Sequence, residues 1–375
     1  MRIALITHYF PAHRGGVELV ACALARELAA RHGAEIEWHA SDSDPPPAIP
    51  GVRCVPAKAC NAIERRLGFP YPLWSPSALW RAGRAARRLD ALHLHDCLYL
   101  PNLVAYVAAR FAGRPVLVTQ HVGMVPYRSA FLRALLSAAN RIFGRLVLGG
   151  ATQVVFISDS VRRYFERFVR FRAPPLLLAN GVDIAVFRPA DKRHALRTEL
   201  KVPEGALLFL FVGRFVEKKG LRVLHELAMR LQHVRWVFAG WGNLDPERWA
   251  LPNVSVIRGR SSAELAPLYQ AADLLVLPSV GEGFPLVVQE AMACGTPALI
   301  GAETAAGCPD AAELLLAEPA EGDDVVARWE QRLRQVTPQA LAVLRPRVAA
   351  FAAANWSWER CAARYAELFR QCAGK

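Results

Sequence analysis

The sequence predicts an α/β protein built as two doubly wound domains, and three observations lead there. Short continuous runs of Val, Ile and Leu alternate with helix-length stretches. Runs that are apolar at every position, rather than at every second one, belong to strands covered on both faces, as in parallel sheets. The alternation occurs twice along 375 residues, a length that exceeds what one ordinary core organises.

In the first half the predicted strands are Ile3–Ile6, Ile36–His39, Leu92–His95, Pro115–Thr119, Gln153–Ile157 and Leu176–Ala179, with a helix over Val17–Arg31. The second half gives strands at Leu207–Val212, Arg235–Ala239, Val254–Ile257, Leu274–Leu277 and Ala298–Gly301. Its helices are Leu221–Gln232, Ser262–Ala271 and Leu286–Ala293. Strands alternating with helices in this way are βα units on a parallel sheet. The polar stretch Phe187–His194 reads as the boundary, giving domains 1–185 and 186–355, and a helix over Trp356–Gln371 dominates the remaining segment 356–375. Open α/β sheets bind ligands beyond the carboxyl ends of their strands. The expected site is therefore a cleft between two facing sheets.

Composition narrows the function classes. The eight cysteines form no CxxC pair and no zinc-ligand spacing with histidine, which fits thiols in a reducing compartment. The N-terminal apolar run is too short for a signal peptide, and no window of about 18 apolar residues free of charge exists. A cytoplasmic protein that touches membranes only at their inner surface is expected. The net charge of +13 is lopsided: residues 1–185 hold 23 Lys and Arg against 12 Asp and Glu, whereas residues 186–375 hold 23 against 21. A basic half suits an anionic partner such as a membrane, an acidic glycolipid or a nucleic acid. Charge alone supports the nucleic-acid reading, since no helix-turn-helix, zinc finger or RNA-recognition signature accompanies it.

Three motifs carry chemistry. Gly15-Gly16-Val-Glu18 follows the first strand and opens a helix, where glycines admit a close ligand and free amides face an anion. Phe211-Val-Gly-Arg214-Phe-Val-Glu-Lys218-Lys219-Gly220 follows a strand in the second half. Arg214 offers a bidentate fork and lysine a point charge, a pair suited to a diphosphate. The third is Glu282-Gly283-Phe284-Pro285-Leu286-Val287-Val-Gln-Glu290. Gly283 is expected to make a tight turn and Pro285 to sit in the first helical turn, aiming the amides of Phe284, Leu286 and Val287 at an anion. Glu282 would stand in the loop and Glu290 more than a turn inside the helix, one for sugar hydroxyls and one for a ribose diol.

In order along nearly the whole chain, these segments resemble glycosyltransferase family 4, a retaining family of GT-B fold. Gly15–Glu18 resembles its N-terminal glycine loop, Thr119–His121 the segment bringing a histidine to the donor sugar, and Phe156–Val161 and Asn180–Pro189 its strand and hinge segments. Gly213–Gly220 matches GRxxxxKG, with Lys219 the equivalent lysine. Phe238–Gly242 is similar to its glycine turn, Glu282–Glu290 to its E-x7-E motif, and Asn355–Tyr365 to its terminal helix crossing back to the first domain. The resemblance implies an acceptor-binding first domain, a donor-binding second domain and a hexosyl transfer from a UDP- or GDP-sugar, with front-face retention and no metal. It implies that Arg214 and Lys219 hold the donor diphosphate, Glu290 the ribose, and Glu282 and His121 the donor sugar. Gly16 would lie near the diphosphate or the acceptor, and a glycan or lipid-linked acceptor of the cell envelope, as in lipopolysaccharide or capsule synthesis, is expected. A GT-B phosphorylase or a nucleotide-sugar epimerase is the enzymatic alternative. The family's glycine-rich turn and Pro-Glu after Gly295–Pro297 are replaced by Gly301–Leu316, where Glu303 or Thr304 stand in.

Weaker signals are weighed against bland readings. Asp42-Ser-Asp44, the one Asp-x-Asp string, runs into three prolines and reads as a solvated loop rather than a metal site. His93 and His95 share a strand face and read as sheet-edge histidines. Arginine interleaves with aromatics in Phe69–Arg88, in Tyr127–Gly144 and in Val161–Arg172. Basic amphipathic segments of this kind can lie on an anionic bilayer.

Overall fold

The computed structural model describes residues 1–67, 71–124, 129–260 and 262–374. The chain divides into two compact units, Met1–Gly181 with Trp358–Lys375, and Val182–Ser357. The division thus falls just before the polar stretch Phe187–His194, and the C-terminal helix belongs to the first unit.

The first unit carries strands β1 (Arg2–Ile6), β2 (Glu35–Ser41), β3 (Val52–Ala57), the short β4 (Ala59–Cys60) and β5 (Leu73–Trp74), then β6 (Ala91–His95), β7 (Val116–Gln120), β8 (Gln153–Phe156) and β9 (Leu176–Leu177). Seven of them form one parallel sheet in the order β3-β2-β1-β6-β7-β8-β9, while β4 and β5 pair separately and antiparallel. The helices are α1 (Gly16–His32), α2 (Ala62–Leu67), α3 (Pro76–Arg88), α4 (Leu100–Phe111), α5 (Ala130–Phe143) and α6 (Asp159–Glu166). Successive strand side chains alternate faces. Ile3 and Leu5 accordingly join one core with Ile36, Trp38, Leu117 and Val155, while Ala4 and Ile6 join another with Leu92, Leu94, Val116 and Phe156. Both faces being covered is why these strands read as unbroken apolar runs. The first core is closed by α1 and by Cys361, Ala362, Tyr365 and Phe369 of the C-terminal helix.

The second unit carries β10 (Leu208–Phe215), β11 (Arg235–Gly242), β12 (Val254–Ile257), β13 (Leu274–Leu277), β14 (Ala298–Gly301) and β15 (Leu316–Glu318), in the order β12-β11-β10-β13-β14-β15. All its pairings are parallel. Its helices are α7 (Arg193–Glu199), α8 (Leu221–Arg230), α9 (Ser262–Ala271), α10 (Leu286–Ala293), α11 (Ala302–Ala305), α12 (Val325–Arg334) and α13 (Pro338–Asn355); α14 (Trp358–Ala373) returns to the first unit. Among the described residues, no helix is long and apolar enough to cross a membrane.

Four strands were not legible as such: the two-residue β4 and β5, and β3 and β15 of the parallel sheets. β3 contains Arg53 and Pro56 and lies at the sheet edge, where one side is solvated and a missing N–H is tolerated. β15 is a three-residue edge strand. The strand order reverses between β1 and β6 in one unit and between β10 and β13 in the other. The loops leaving a pair of diverging strands part at such a switch point and open a crevice. Every motif singled out for chemistry follows one of these strands, or β7 beside them.

Candidate active site

In the second unit the loops after β10 and β13 are laced together. Val280 N–H donates to the Lys218 carbonyl at 2.9 Å, and a Cβ on Gly220 would stand 2.3 Å from the Pro278 carbonyl. Gly220 also has φ +78°, the left-handed region that favours glycine, and from it α8 begins. The same lacing brings charges together. Lys219 Nζ lies 2.9 Å and Lys218 Nζ 3.9 Å from Glu282 Oε1. Burial would push the Glu282 pKa up, but Lys219, Lys218 and Arg214 outweigh it and hold the carboxyl below its ordinary value. Burial pushes the Lys218 pKa down, as do Lys219 and Arg214, with Glu282 opposing. Arg214, at the end of β10, is exposed. One carboxylate thus faces three cations, a local excess of positive charge suited to an anion.

The E-x7-E segment departs from expectation in detail. Gly281, at φ +66°, is the left-handed residue of the loop, whereas Gly283 is not in that region. Pro285 caps α10 from outside, so Leu286 and Val287 are its first helical residues. Their amides have no acceptor within the helix, as at any helix start. Phe284 is buried with its ring 5.5 Å from that of Trp356, which anchors the loop. One helical turn further in, Glu290 accepts a 2.8 Å hydrogen bond from the hydroxyl of fully buried Tyr269.

In the first unit the loops after β1 and β6 meet similarly. Gly15 caps α1, and a Cβ there would stand 2.0 Å from Glu18 Oε2. Its small size therefore makes room for the Glu18 carboxylate, while the space around Gly16 is open. Glu18 Oε1 lies 2.9 Å from His8 Nε2, both side chains being buried. Burial raises the Glu18 pKa, but His8 more than offsets this and keeps it below its ordinary value. The His8 ring stacks on Tyr99 at 4.0 Å, linking the two loops. The Asp42–Asp44 loop is not simply solvated: His13 Nδ1 lies 3.0 Å from Asp44 and its Nε2 3.2 Å from Glu64, which also accepts from Tyr9 at 2.6 Å.

His93 and His95, expected at a sheet edge, lie instead in the central strand β6 and are buried. His93 Nε2 is 2.9 Å from the Thr119 hydroxyl, which is 2.9 Å from that of Tyr365 on α14. His95 Nδ1 is 2.9 Å from His121 Nε2. Burial drives all three imidazole pKa values down, that of His93 to about 3. His121 is placed by Asp96, a residue outside the three motifs. Asp96 Oδ1 accepts from His121 N at 2.8 Å, Gln120 Nε2 at 2.9 Å and Val122 N at 3.1 Å. Asp96 has φ +63°, a conformation aspartate tolerates, and Asn102 Nδ2 donates to the Asp96 and His95 carbonyls at 2.7 Å each. An aspartate ending the central strand, in Leu-His-Leu-His-Asp, was the available signal.

The arginine-rich segments separate into different kinds. In α6, Arg162 and Arg163 pair with Asp159, while Val161 and Phe165 enter the core. In α3, only Trp80 among the large apolar residues is exposed, with Arg84 over its ring. The α5 segment is reversed: Phe131, Leu132, Leu135, Ile142 and, just beyond, Leu146 are all exposed, beside exposed Arg133, Arg141 and Arg145. Asn140 is its sole buried residue. Phe69, Tyr127 and Arg128 lie outside the described residues.

Comparison with known proteins addresses the family and the fold. The profile described as Glycosyltransferase Family 4 matches residues 14–186, and that described as Glycosyl transferases group 1 matches residues 206–335. A D-inositol 3-phosphate glycosyltransferase of Xylanimonas cellulosilytica is 32% identical over 323 residues, covering 77% of this chain and 75% of the relative. Among solved structures, sucrose-phosphate synthase of Thermosynechococcus elongatus superposes with a TM-score of 0.79 at 23% identity, covering 99% and 98% of the two chains. Anabaena HepE in complex with UDP-glucose gives 0.72 at 18% identity, covering 99% and 100%. Two parallel α/β sheets with these neighbours define the GT-B fold. The chain belongs to glycosyltransferase family 4 and is a glycosyltransferase.

Replacing Asp96 with alanine removes the acceptor of three hydrogen bonds. It is expected to cost about 2–4 kcal/mol in denaturant unfolding and to lower transfer activity, whereas wild-type stability would mean that Asp96 does not hold the His121 loop.

Proposed function

We propose that the enzyme is a retaining glycosyltransferase that moves a hexosyl group from a UDP- or GDP-sugar to a glycan or lipid-linked acceptor of the cell envelope, as in lipopolysaccharide or capsule synthesis. The observation that carries the donor half is the cation cluster of Arg214, Lys218 and Lys219 around Glu282, at the switch point and beside the start of α10. Arg214, Lys219 and the amides of Phe284, Leu286 and Val287 bind the diphosphate and stabilise the charge that develops as the glycosyl–phosphate bond breaks. These fixed charges serve in place of a metal ion. Glu290, held by Tyr269, binds the ribose diol, and Glu282 and His121 contact the donor sugar. Gly16 and its open surroundings admit the diphosphate or the acceptor. The acceptor hydroxyl attacks the anomeric carbon from the face the nucleotide leaves, and the departing phosphate oxygen takes its proton. HepE, of the same fold, binds UDP-glucose, which supports a uridine donor.

The acceptor half rests on the first unit. The exposed apolar stripe and arginines of α5 suit the anionic inner face of a membrane, with rings and aliphatic chains entering the headgroup layer and guanidinium groups on phosphates. In the other two arginine-rich segments the described aromatics are packed or half-buried apart from Trp80, over which Arg84 lies, so membrane attachment is assigned to α5.

Two measurements test these halves. UDP or GDP should raise the melting temperature by linkage. Glu290→Ala should weaken that nucleotide's binding by about 1.5–3 kcal/mol, while Glu282→Ala should chiefly lower turnover; unchanged binding and turnover in both would refute the site. In flotation with vesicles rich in anionic lipid, wild type should float in low salt and sink in high salt, and Phe131→Ser/Leu135→Ser/Ile142→Ser should stay at the bottom. Equal flotation of that triple variant would remove α5 as the docking element.

A further inference from the structure

His95 and His121 meet nitrogen to nitrogen, with Nδ1 of the first 2.9 Å from Nε2 of the second and the rings nearly parallel at 16°. At that distance one nitrogen donates and the other accepts, so a single proton lies between them. Both rings are buried, and burial keeps both neutral at ordinary pH. A neutral imidazole carries its proton on one nitrogen only. Two arrangements follow. Either His95 Nδ1–H donates to His121 Nε2, or His121 Nε2–H donates to His95 Nδ1 and the proton of His95 sits on its own Nε2.

The surroundings of His95 Nε2 decide between them. That atom is buried and has no hydrogen-bond partner among the described residues. The nearest ring, His93, has its Nε2 turned to Thr119, which is joined to Tyr365. The second arrangement would bury an N–H with no acceptor, whereas the first leaves only a bare lone pair there. Orphaned buried N–H groups are the rarer and costlier defect. The first arrangement therefore holds, and it leaves the proton of His121 on Nδ1.

We infer that His95 is a positioning residue that fixes His121 as the Nδ1–H tautomer, so that His121 offers a hydrogen-bond donor to a hydroxyl oxygen of the donor sugar. The second half of this statement rests on the donor-sugar role of His121 proposed above. Thr119 and Tyr365 act behind it by occupying His93 and leaving His95 no alternative partner.

The test uses the full chain with 15N-labelled histidine and long-range 1H–15N correlation spectra near neutral pH. The His121 signals, assigned by their loss in His121→Gln, should show a protonated Nδ1 and a bare Nε2. An Nε2–H tautomer, or an imidazolium, would overturn the inference. His95→Asn places an amide N–H where Nδ1 stood, and should keep the tautomer and most of the rate of UDP release from UDP-glucose. His95→Leu has no donor, and should lose the tautomer and about tenfold or more in kcat with KM little changed. Leucine and asparagine variants equally impaired, or both unimpaired, would contradict a positioning role. If the leucine variant fails to fold, the wild-type and asparagine spectra still decide. Full transfer activity in His121→Ala would strike the donor-sugar role instead, and the wild-type spectrum is read independently of it.

Discussion

The ion pair between Lys219 and Glu282 is the constraint on which the proposed donor site depends. It ties the loop after β10 to the loop after β13 across the point where the strand order reverses. Neither charge is cheap to bury alone, and removing one partner of such a pair leaves the other uncompensated. Their mutual presence lets Lys218 and Arg214 crowd the same corner while Glu282 stays ionised. Glu282 offsets part of the repulsion among the three cations, and the cluster stays net positive, as an anion site requires. A fully neutralised cluster would be steadier but would have no charge to offer.

The first unit solves the matching problem with buried neutral groups rather than ions. Histidines in a central strand must be hydrogen-bonded or bare, because burial denies them charge. Thr119, Tyr365 and Asp96 absorb the polar atoms that the sheet itself cannot. Tyr365 comes from α14, so the last helix of the chain both closes a hydrophobic core and reaches the layer of side chains that supports His121. Gly15 and Glu18 show the same economy at the neighbouring loop, where a missing side chain makes room for a carboxylate.

The fold was legible wherever strands were covered on both faces. Leu274–Leu277 and Ala298–Gly301 are buried throughout and are strands over the residues expected; Val254–Ile257, half-buried at the sheet edge, is one too because its β-branched residues suit a strand. β3 and β15 were not legible because edge strands tolerate a charged residue such as Arg53, a proline such as Pro56, or a solvated side. The motif residues were legible, but their partners were not. Lys219 and Glu282 meet only through the topology, and so do His95 and His121. The amphipathic pattern of α5 announced an apolar face without saying which way it points, and it points to solvent. Gly281 rather than Gly283 makes the turn because backbone conformation follows from the loop's closure, which glycine spacing alone does not determine.

Calorimetric titration of UDP and of uridine separates recognition of the diphosphate by the proposed cation cluster from binding of the base and ribose. Wild type is predicted to bind UDP at least about a hundredfold more tightly than uridine, and Lys219→Met to lose at least about tenfold for UDP while leaving uridine unchanged. Equal affinity of the wild type for the two ligands, or an unaltered UDP affinity in Lys219→Met, would contradict the account.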